Sequence, residues 1–146
     1  MVRIMTPCEK VYSAFLSKIL EDDWETWTQE EVEEDLHDIL LGALPRFKFP
    51  ANSIELDETG KNFIGDLTAT EIQIIATYMK CEWLNRNIMT WENIKPLYDE
   101  RDWSQANLLD KFRQTLALEQ KNAKELEAVY YRSRDKKPFK FGKLAG

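Results

Sequence analysis

The sequence predicts a mostly α-helical fold: a helical bundle of about four helices with a small β-hairpin insertion and an extended basic C-terminal tail. Three observations predict this fold. Apolar residues recur every three or four positions behind helix-capping sequences. Between residues 46 and 64 the period changes to two, and after residue 131 it ends in a lysine-rich segment. We therefore expect a helical domain over residues 1–131, with the hairpin at about 46–64, and a docking tail over residues 132–146.

Capping sequences announce the first two helices. Thr6 is expected to cap a helix that begins with Pro7 and ends near Glu21. A second capping sequence at residues 28–31 predicts a helix that Pro45 ends. Its first turns are rich in carboxylates, which we interpret as a solvated face matched to the helix dipole, because the ligand spacing and central glycine of a calcium loop are missing. These acidic residues are Glu30, Glu31, Glu33, Glu34 and Asp35.

The segment 46–64 has the alternation of short strands. Residues 57–60 have turn chemistry, and Pro50 confines any strand here to an edge. Because two or three short strands are not stable alone, the hairpin must pack on the helices or on another subunit. We favour the second option, since an exposed apolar edge is the usual place for strand pairing between chains. The candidate inter-subunit contacts are Phe47, Phe49, Ile54 and Leu56.

Two further helices are expected. A third capping sequence, Thr68 to Glu71, opens the predicted core helix, and Pro96 reduces the segment that follows it, around Trp91 and Ile94, to a single turn at best. The last helix is expected to run from a cap at Ser104 to about Tyr130, which is roughly 45 Å at 1.5 Å per residue. A domain of this size needs only about half of that length, so the far half is expected to project or to contact another chain.

Charge is distributed unevenly along the chain. Residues 1–60 contain 5 bases and 14 acids, a net charge of −9, whereas residues 120–146 contain 8 bases and 3 acids, a net charge of +5. An acidic body with a basic end can orient copies or partners relative to each other.

The tail combines basic residues with two alternating phenylalanines, and we expect it to be disordered when free. In an extended conformation both rings lie on one side, a pattern suited to adding a strand to a partner or lying in a groove. The tail could also neutralise phosphates and stack on bases, but the acidic body lacks a basic recognition helix. This favours a tail that docks on a protein or merely adds solubility over nonspecific contact with DNA. The candidate partner-binding residues are Arg132, Arg134, Lys136, Lys137, Phe139, Lys140, Phe141 and Lys143.

Catalytic motifs are missing from the sequence. The single histidine, His37, has no cysteine or serine near it, which is typical of a surface histidine rather than a general base. Glycine-rich phosphate loops, GxSxG and HExxH do not occur. Cys8 and Cys81 form no CxxC pair and are interpreted as reduced core residues. We therefore predict a non-enzyme without catalytic residues, cofactors or metal ligands.

The sequence also predicts a protein of a cytosolic compartment. No stretch approaches the roughly 18 apolar residues that a membrane span needs. The first ten residues lack the hydrophobic region and cleavage site of a secretory signal.

Asp66–Leu84, Tyr98–Asn107 and a long terminal helix ending in Tyr130-Tyr131-Arg132 resemble the small α-helical neck proteins of tailed bacteriophages. The resemblance covers roughly residues 6–134. It implies a head-to-tail connector, or adaptor: a virion structural subunit that forms a homo-oligomeric, dodecameric ring, docks on the portal protein and continues the DNA channel towards the tail. It also implies a place in the virion neck, with the host cytoplasm before assembly.

The partners that the resemblance implies are further copies of the chain, the portal protein and the next neck or tail-completion protein, with nonspecific contact to packaged DNA and no membrane. The docking role would fall on the end of the last helix and on residues 132–143. An alternative function is a phage-encoded intracellular interaction module that binds nucleic acid or a host protein through the basic tail. A small hydrolase that depends on His37 is a third alternative, which no sequence feature requires.

Overall fold

The computed structural model describes residues 5–19, 27–94 and 103–134. Its elements confirm the predicted mostly α-helical fold with a small antiparallel β element. In chain order they are β1 (Thr6–Pro7), α1 (Cys8–Leu16), α2 (Gln29–Ala43), a 3₁₀ turn (Leu44–Arg46), β2 (Asn62–Phe63), α3 (Ala69–Ile94) and α4 (Trp103–Arg134).

Helix α3 is the core helix, as predicted, and packs against α1, α2 and α4. Its capping sequence is formed reciprocally: the Glu71 N–H donates to Thr68 Oγ1 (3.2 Å), and the Thr68 N–H donates to Glu71 Oε1 (2.8 Å). The helix continues to Ile94, so the prediction of a separate single turn around Trp91 is wrong. A proline restricts mainly the residue before it, and Pro96 lies outside the described residues. The buried side chains of α3 include Ile74, Ile75, Ala76, Tyr78, Met79, Cys81 and Leu84.

Helix α1 begins differently from the prediction. Thr6 does not cap it, because its hydroxyl donates to the Gly65 carbonyl (3.0 Å) and accepts from the Leu67 N–H (2.8 Å). Pro7 stands at the N-cap position without a side-chain cap. The helix ends at Leu16 rather than near Glu21, and Ser17 Oγ donates to the Ala14 carbonyl (2.7 Å), a bond that competes with further helix.

Helix α2 follows the prediction closely. Thr28 Oγ1 accepts from the Glu31 N–H (3.2 Å), and the α-helix ends at Ala43, before Pro45. Bidentate hydrogen bonds from Arg86 to Asp35 (2.5 and 3.0 Å) join α2 to α3. The glutamates of its first turns face solvent, as expected.

The β element has a partner that the sequence did not reveal. The predicted turn at 57–60 is present, with the Asp57 N–H donating to the Asn62 carbonyl (2.8 Å) and a bridge between Leu56 and Phe63. The paired strands, however, are β1 and β2, with Thr6 opposite Phe63. No strand forms at Phe47 and Phe49, because the 3₁₀ turn directly before Phe47 places this side chain in the core. The strand β1 could not be predicted, because two residues are too few to show the alternation of apolar and polar side chains that identifies a strand in a sequence.

Helix α4 lies antiparallel along α3. Arg113 bonds Glu92 (2.5 Å) near one end, and Lys80 bonds Glu119 (3.0 Å) near the middle. Ser104 lies inside the helix rather than at its cap. The far half does not project, because Ala123, Glu127 and Tyr130 are buried against the domain. Arg132 and Arg134, which the sequence analysis assigned to the tail, belong to the last turn of α4.

Both cysteines are buried and free, as predicted. In the part of the chain that the structure describes, no helix is long and apolar enough to cross a membrane.

Candidate docking site at the end of the last helix

Two groups of candidate residues, far apart in sequence, meet at the end of α4. Phe47 and Phe49, predicted as contacts of the hairpin, lie against Tyr130 and Tyr131, and Arg134 of the predicted tail joins them. We call these five residues the α4 anchor. Residues 135–146, which contain the other predicted partner-binding residues, continue directly from it.

Tyr130 holds the anchor to the core. Its hydroxyl donates to Glu71 Oε2 (2.8 Å) and accepts from the Ala51 N–H (2.7 Å). Its ring packs edge-on against Phe47, with 5.5 Å between ring centroids. Phe47 is only 3% exposed, so it is a core residue of its own chain.

Glu71 is the buried charge beneath the anchor, and its exposed fraction is 0%. Besides Tyr130 it accepts hydrogen bonds from the Asn52 N–H (3.1 Å), Asn52 Nδ2 (2.7 Å) and the Thr68 N–H (2.8 Å). Burial opposes ionisation, but these donors outweigh it and lower the pKa of Glu71. The carboxylate therefore stays charged while it joins the start of α3, the loop at residue 52 and the end of α4.

Tyr131 extends the anchor towards the surface. Its hydroxyl donates to Glu127 Oε2 (2.6 Å) and accepts from the Phe49 N–H (3.2 Å), and its ring lies 6.0 Å from that of Phe49. Glu127 is itself buried and accepts a second hydrogen bond from the Tyr78 hydroxyl. The pKa of Tyr78 is raised, mainly by burial of its hydroxyl and secondly by this hydrogen bond to Glu127. A carboxylate that looks like a surface acid in the sequence thus ties α4 to α3.

Arg134 closes the anchor at the last turn. Its guanidinium carbon lies 5.6 Å from the centre of the Tyr130 ring and 5.3 Å from that of Tyr131, within cation–π range. Its Nη1 also donates to the Phe49 carbonyl. A cation is favoured here by the negative end of the helix dipole.

The remaining predicted site residues are placed as follows. Arg132 is exposed and donates to the Ala128 carbonyl (3.3 Å) on the outer face of α4. Ile54 and Leu56 are half-buried and pack against the core of their own chain, whereas Phe49 keeps 67% of its surface exposed. The tail residues Lys136, Lys137, Phe139, Lys140, Phe141 and Lys143 lie outside the described residues.

The sequence analysis missed Glu71 and Glu127 as site residues. One signal was available, because the adjacent tyrosines 130 and 131 place two hydroxyls at the end of an apolar helix face, where buried hydroxyls need partners. Which carboxylates would supply those partners depends on how α4 pairs with α3, and local sequence does not reveal that pairing.

The described residues offer little material for chemistry at other positions. No group of three or more histidine, cysteine, aspartate or glutamate side chains among them could hold a metal ion. His37 is half-buried beside Gly60, on a groove between α1, α2 and the 59–62 turn. Burial raises the pKa of Cys8 and of Cys81 to about 11, which disfavours the thiolate form that a nucleophile requires.

The fold and the site define a mostly α-helical protein whose last helix ends in a firmly held aromatic and basic cluster. Comparisons with known protein families, with curated proteins and with solved structures gave no match to this chain.

Proposed function

We propose that the protein is a virion structural subunit, a head-to-tail connector whose copies form a ring on the portal protein and continue the DNA channel towards the tail. The observation that supports this proposal best is the α4 anchor. It fixes the position of Arg134, the residue that directly precedes the basic segment 135–146 in an otherwise acidic chain.

A fixed point of departure favours docking for an energetic reason. Binding of an extended segment costs conformational entropy, and the cost falls when neighbouring residues are already ordered. Tyr130, Tyr131 and Arg134 are ordered by contacts to residues 49 and 51 before any partner arrives. A partner that binds segment 135–146 therefore does not have to order the end of α4 as well.

The charges favour contacts between unlike surfaces. Residues 1–60 have a net charge of −9, and segment 135–146 has four lysines and one aspartate, a net charge of +3. Contacts between unlike surfaces are heterologous, and heterologous contacts generate closed rings when the rotation between copies allows it. The resemblance to phage neck proteins supplies the identity of the partner, the portal.

The test compares the full chain with a chain that ends at Arg134. Cutting there keeps the anchor, whereas a cut at residue 132 would remove Arg134 and disturb the contacts to Phe49. Each protein is mixed with the portal protein encoded in the same genome, and ring formation is followed by electron microscopy. We expect rings with the full chain and none with the truncated chain.

A chain with residues 135–146 in shuffled order is the matched control, because it keeps the charge and loses the sequence. Failure of this control to form rings would show that docking is specific. Rings formed equally well by the truncated chain would contradict the proposal. Affinity of the full chain for duplex DNA that falls steeply with salt, without any portal binding, would favour the nucleic-acid alternative.

A further inference from the structure

A groove lies between the start of α1, the first half of α2 and the 59–62 turn. Its volume is about 510 Å³, which lies within the range of ligand-binding clefts. Pro7, Cys8 and Tyr12 contribute apolar surface to it, and four glutamates line it: Glu9, Glu30, Glu33 and Glu34. We call it the acidic groove.

The residues that line the acidic groove have a net negative charge. Its lining has four glutamates and one lysine, Lys61, which gives −4 + 1 = −3 with His37 neutral. Among residues 5–19, 27–94 and 103–134, none of the four glutamates forms a salt bridge; the ion pairs of those ranges lie elsewhere. Glu33 Oε1 accepts from the neutral amide Gln29 Nε2 (3.3 Å), and a positively charged occupant would therefore meet carboxylates without a cationic partner in those ranges.

Segment 135–146 of the same chain matches this groove in charge and in composition. Its four lysines and one aspartate give +3 against the −3 of the groove. Phe139 and Phe141 flank Lys140, so that an extended segment presents both rings on one side and Lys140 on the other. Lys136 shares the side of Lys140, whereas Lys137 and Lys143 share the side of the rings. The rings suit the apolar surface at Tyr12, and the lysines suit the glutamates of α2.

A series of contacts connects the end of α4 to one edge of the groove, at Pro7. Arg134 bonds the Phe49 carbonyl, the Ser53 carbonyl accepts from the Gly65 N–H (3.1 Å), and Gly65 bonds Thr6, the neighbour of Pro7 in the groove. Twelve extended residues reach up to ~40 Å. A compact domain of this size has a radius of gyration of only about 14 Å. Attachment to the same chain also raises the effective concentration of the segment to the millimolar range.

We propose that the acidic groove holds residues 135–146 of its own chain in the free protein, and that the segment exchanges the groove for the portal during assembly. That the segment occupies the groove is inferred from charge and geometry alone, whereas its transfer from the groove to the portal rests on the proposed function. Such a contact keeps the docking segment from binding other acidic surfaces before the portal is present.

The test uses a fluorescent peptide of residues 135–146 and full-length proteins. In one protein the tail is neutralised by Lys136→Gln, Lys137→Gln, Lys140→Gln and Lys143→Gln, which empties the groove. We expect the peptide to bind this protein at low salt, to bind the unmodified protein at least tenfold more weakly, and to lose affinity as salt rises.

Two further variants of the tail-neutralised protein locate the contact. Glu30→Gln, Glu33→Gln and Glu34→Gln should weaken peptide binding at least tenfold. The matched control, Glu55→Gln, Asp110→Asn and Glu125→Gln, changes three exposed acids away from the groove and should leave binding unchanged. Circular dichroism checks that each variant keeps its helices.

Equal peptide binding to the unmodified and tail-neutralised proteins would overturn the proposal, because the groove would then be empty in the free chain. Absence of binding, or equal binding to the groove variant and its control, would overturn it as well. Ring formation on the portal by the unmodified protein is measured separately. Rings without peptide binding refute the groove contact alone, and peptide binding without rings refutes the proposed function alone.

Discussion

Replacing Tyr130 by phenylalanine should destabilise the domain by about 2 kcal/mol, since it removes a hydrogen bond to a buried charge. The ring and its contact with Phe47 stay in place, and only the hydroxyl is lost. That hydroxyl is one of four donors to Glu71, a carboxylate with 0% exposure, so water cannot readily replace it. The Ala51 N–H loses its acceptor too, but Ala51 is an exposed residue and its N–H can turn to water.

Urea unfolding at pH 7, followed by circular dichroism, measures this loss. For a chain of 146 residues the corresponding drop in melting temperature is roughly 4–8 °C. A double-mutant cycle with Glu71→Gln isolates the pair, and we expect a coupling free energy of at least about 1 kcal/mol. A cost below about 0.5 kcal/mol for Tyr130→Phe, or additive effects in the cycle, would refute the role given to this hydrogen bond.

Three further predictions concern the same side of the fold. Because the pKa of Glu71 is lowered in the folded protein, its carboxylate stabilises the fold fully at neutral pH, and this stabilisation is lost as the pH falls below the ordinary value of 4.5. The free energy of unfolding, measured from pH 7 to pH 3, should therefore fall less steeply for Glu71→Gln than for the parent protein, and an equally steep fall would contradict this prediction. Thr6→Val should lower the free energy of unfolding by about 1–3 kcal/mol, because the Gly65 carbonyl and the Leu67 N–H lose their partner, whereas Thr6→Ser keeps the hydroxyl and should unfold in urea like the parent protein. Similar losses of stability in both variants would show that the hydroxyl is not the cause. Gly65→Ala should lower the melting temperature strongly, since an added Cβ would lie 2.5 Å from the Ser53 backbone. Gly42→Ala on α2 should lower it less, because the added Cβ meets only the flexible end of Glu82 at 3.0 Å, and equal effects of the two variants would contradict the close approach at residue 65.

Local motifs predicted those elements whose causes are local. The capping sequences at Thr28 and Thr68 form as expected, because a cap joins groups three residues apart. The same motif failed at Thr6, where the hydroxyl bonds residues 65 and 67 instead. Nothing near Thr6 in the sequence reveals those distant partners, so a strand contact replaced the expected helix cap.

Helix α4 shows a second limit of prediction from the sequence. Its length and apolar face were predicted, but not the surface that covers its far half. Burial there involves Glu71 and Glu127, two buried carboxylates that each accept a hydrogen bond from a tyrosine of the other helix: Tyr130 of α4 donates to Glu71, and Tyr78 of α3 donates to Glu127. In a chain with 26 acidic residues, the sequence cannot distinguish these two from surface acids. Phe49 and Arg134 are 85 residues apart in the sequence, and only the fold shows that they are in contact.

We propose that the segment beyond the α4 anchor docks this protein on a portal as a ring subunit. Electron microscopy of the purified portal, mixed with either the full chain or the chain that ends at Arg134, tests it most directly. We predict a closed ring of extra density on the portal with the full chain and a bare portal with the truncated one. A bare portal in both samples, or a ring in both, would contradict the claim.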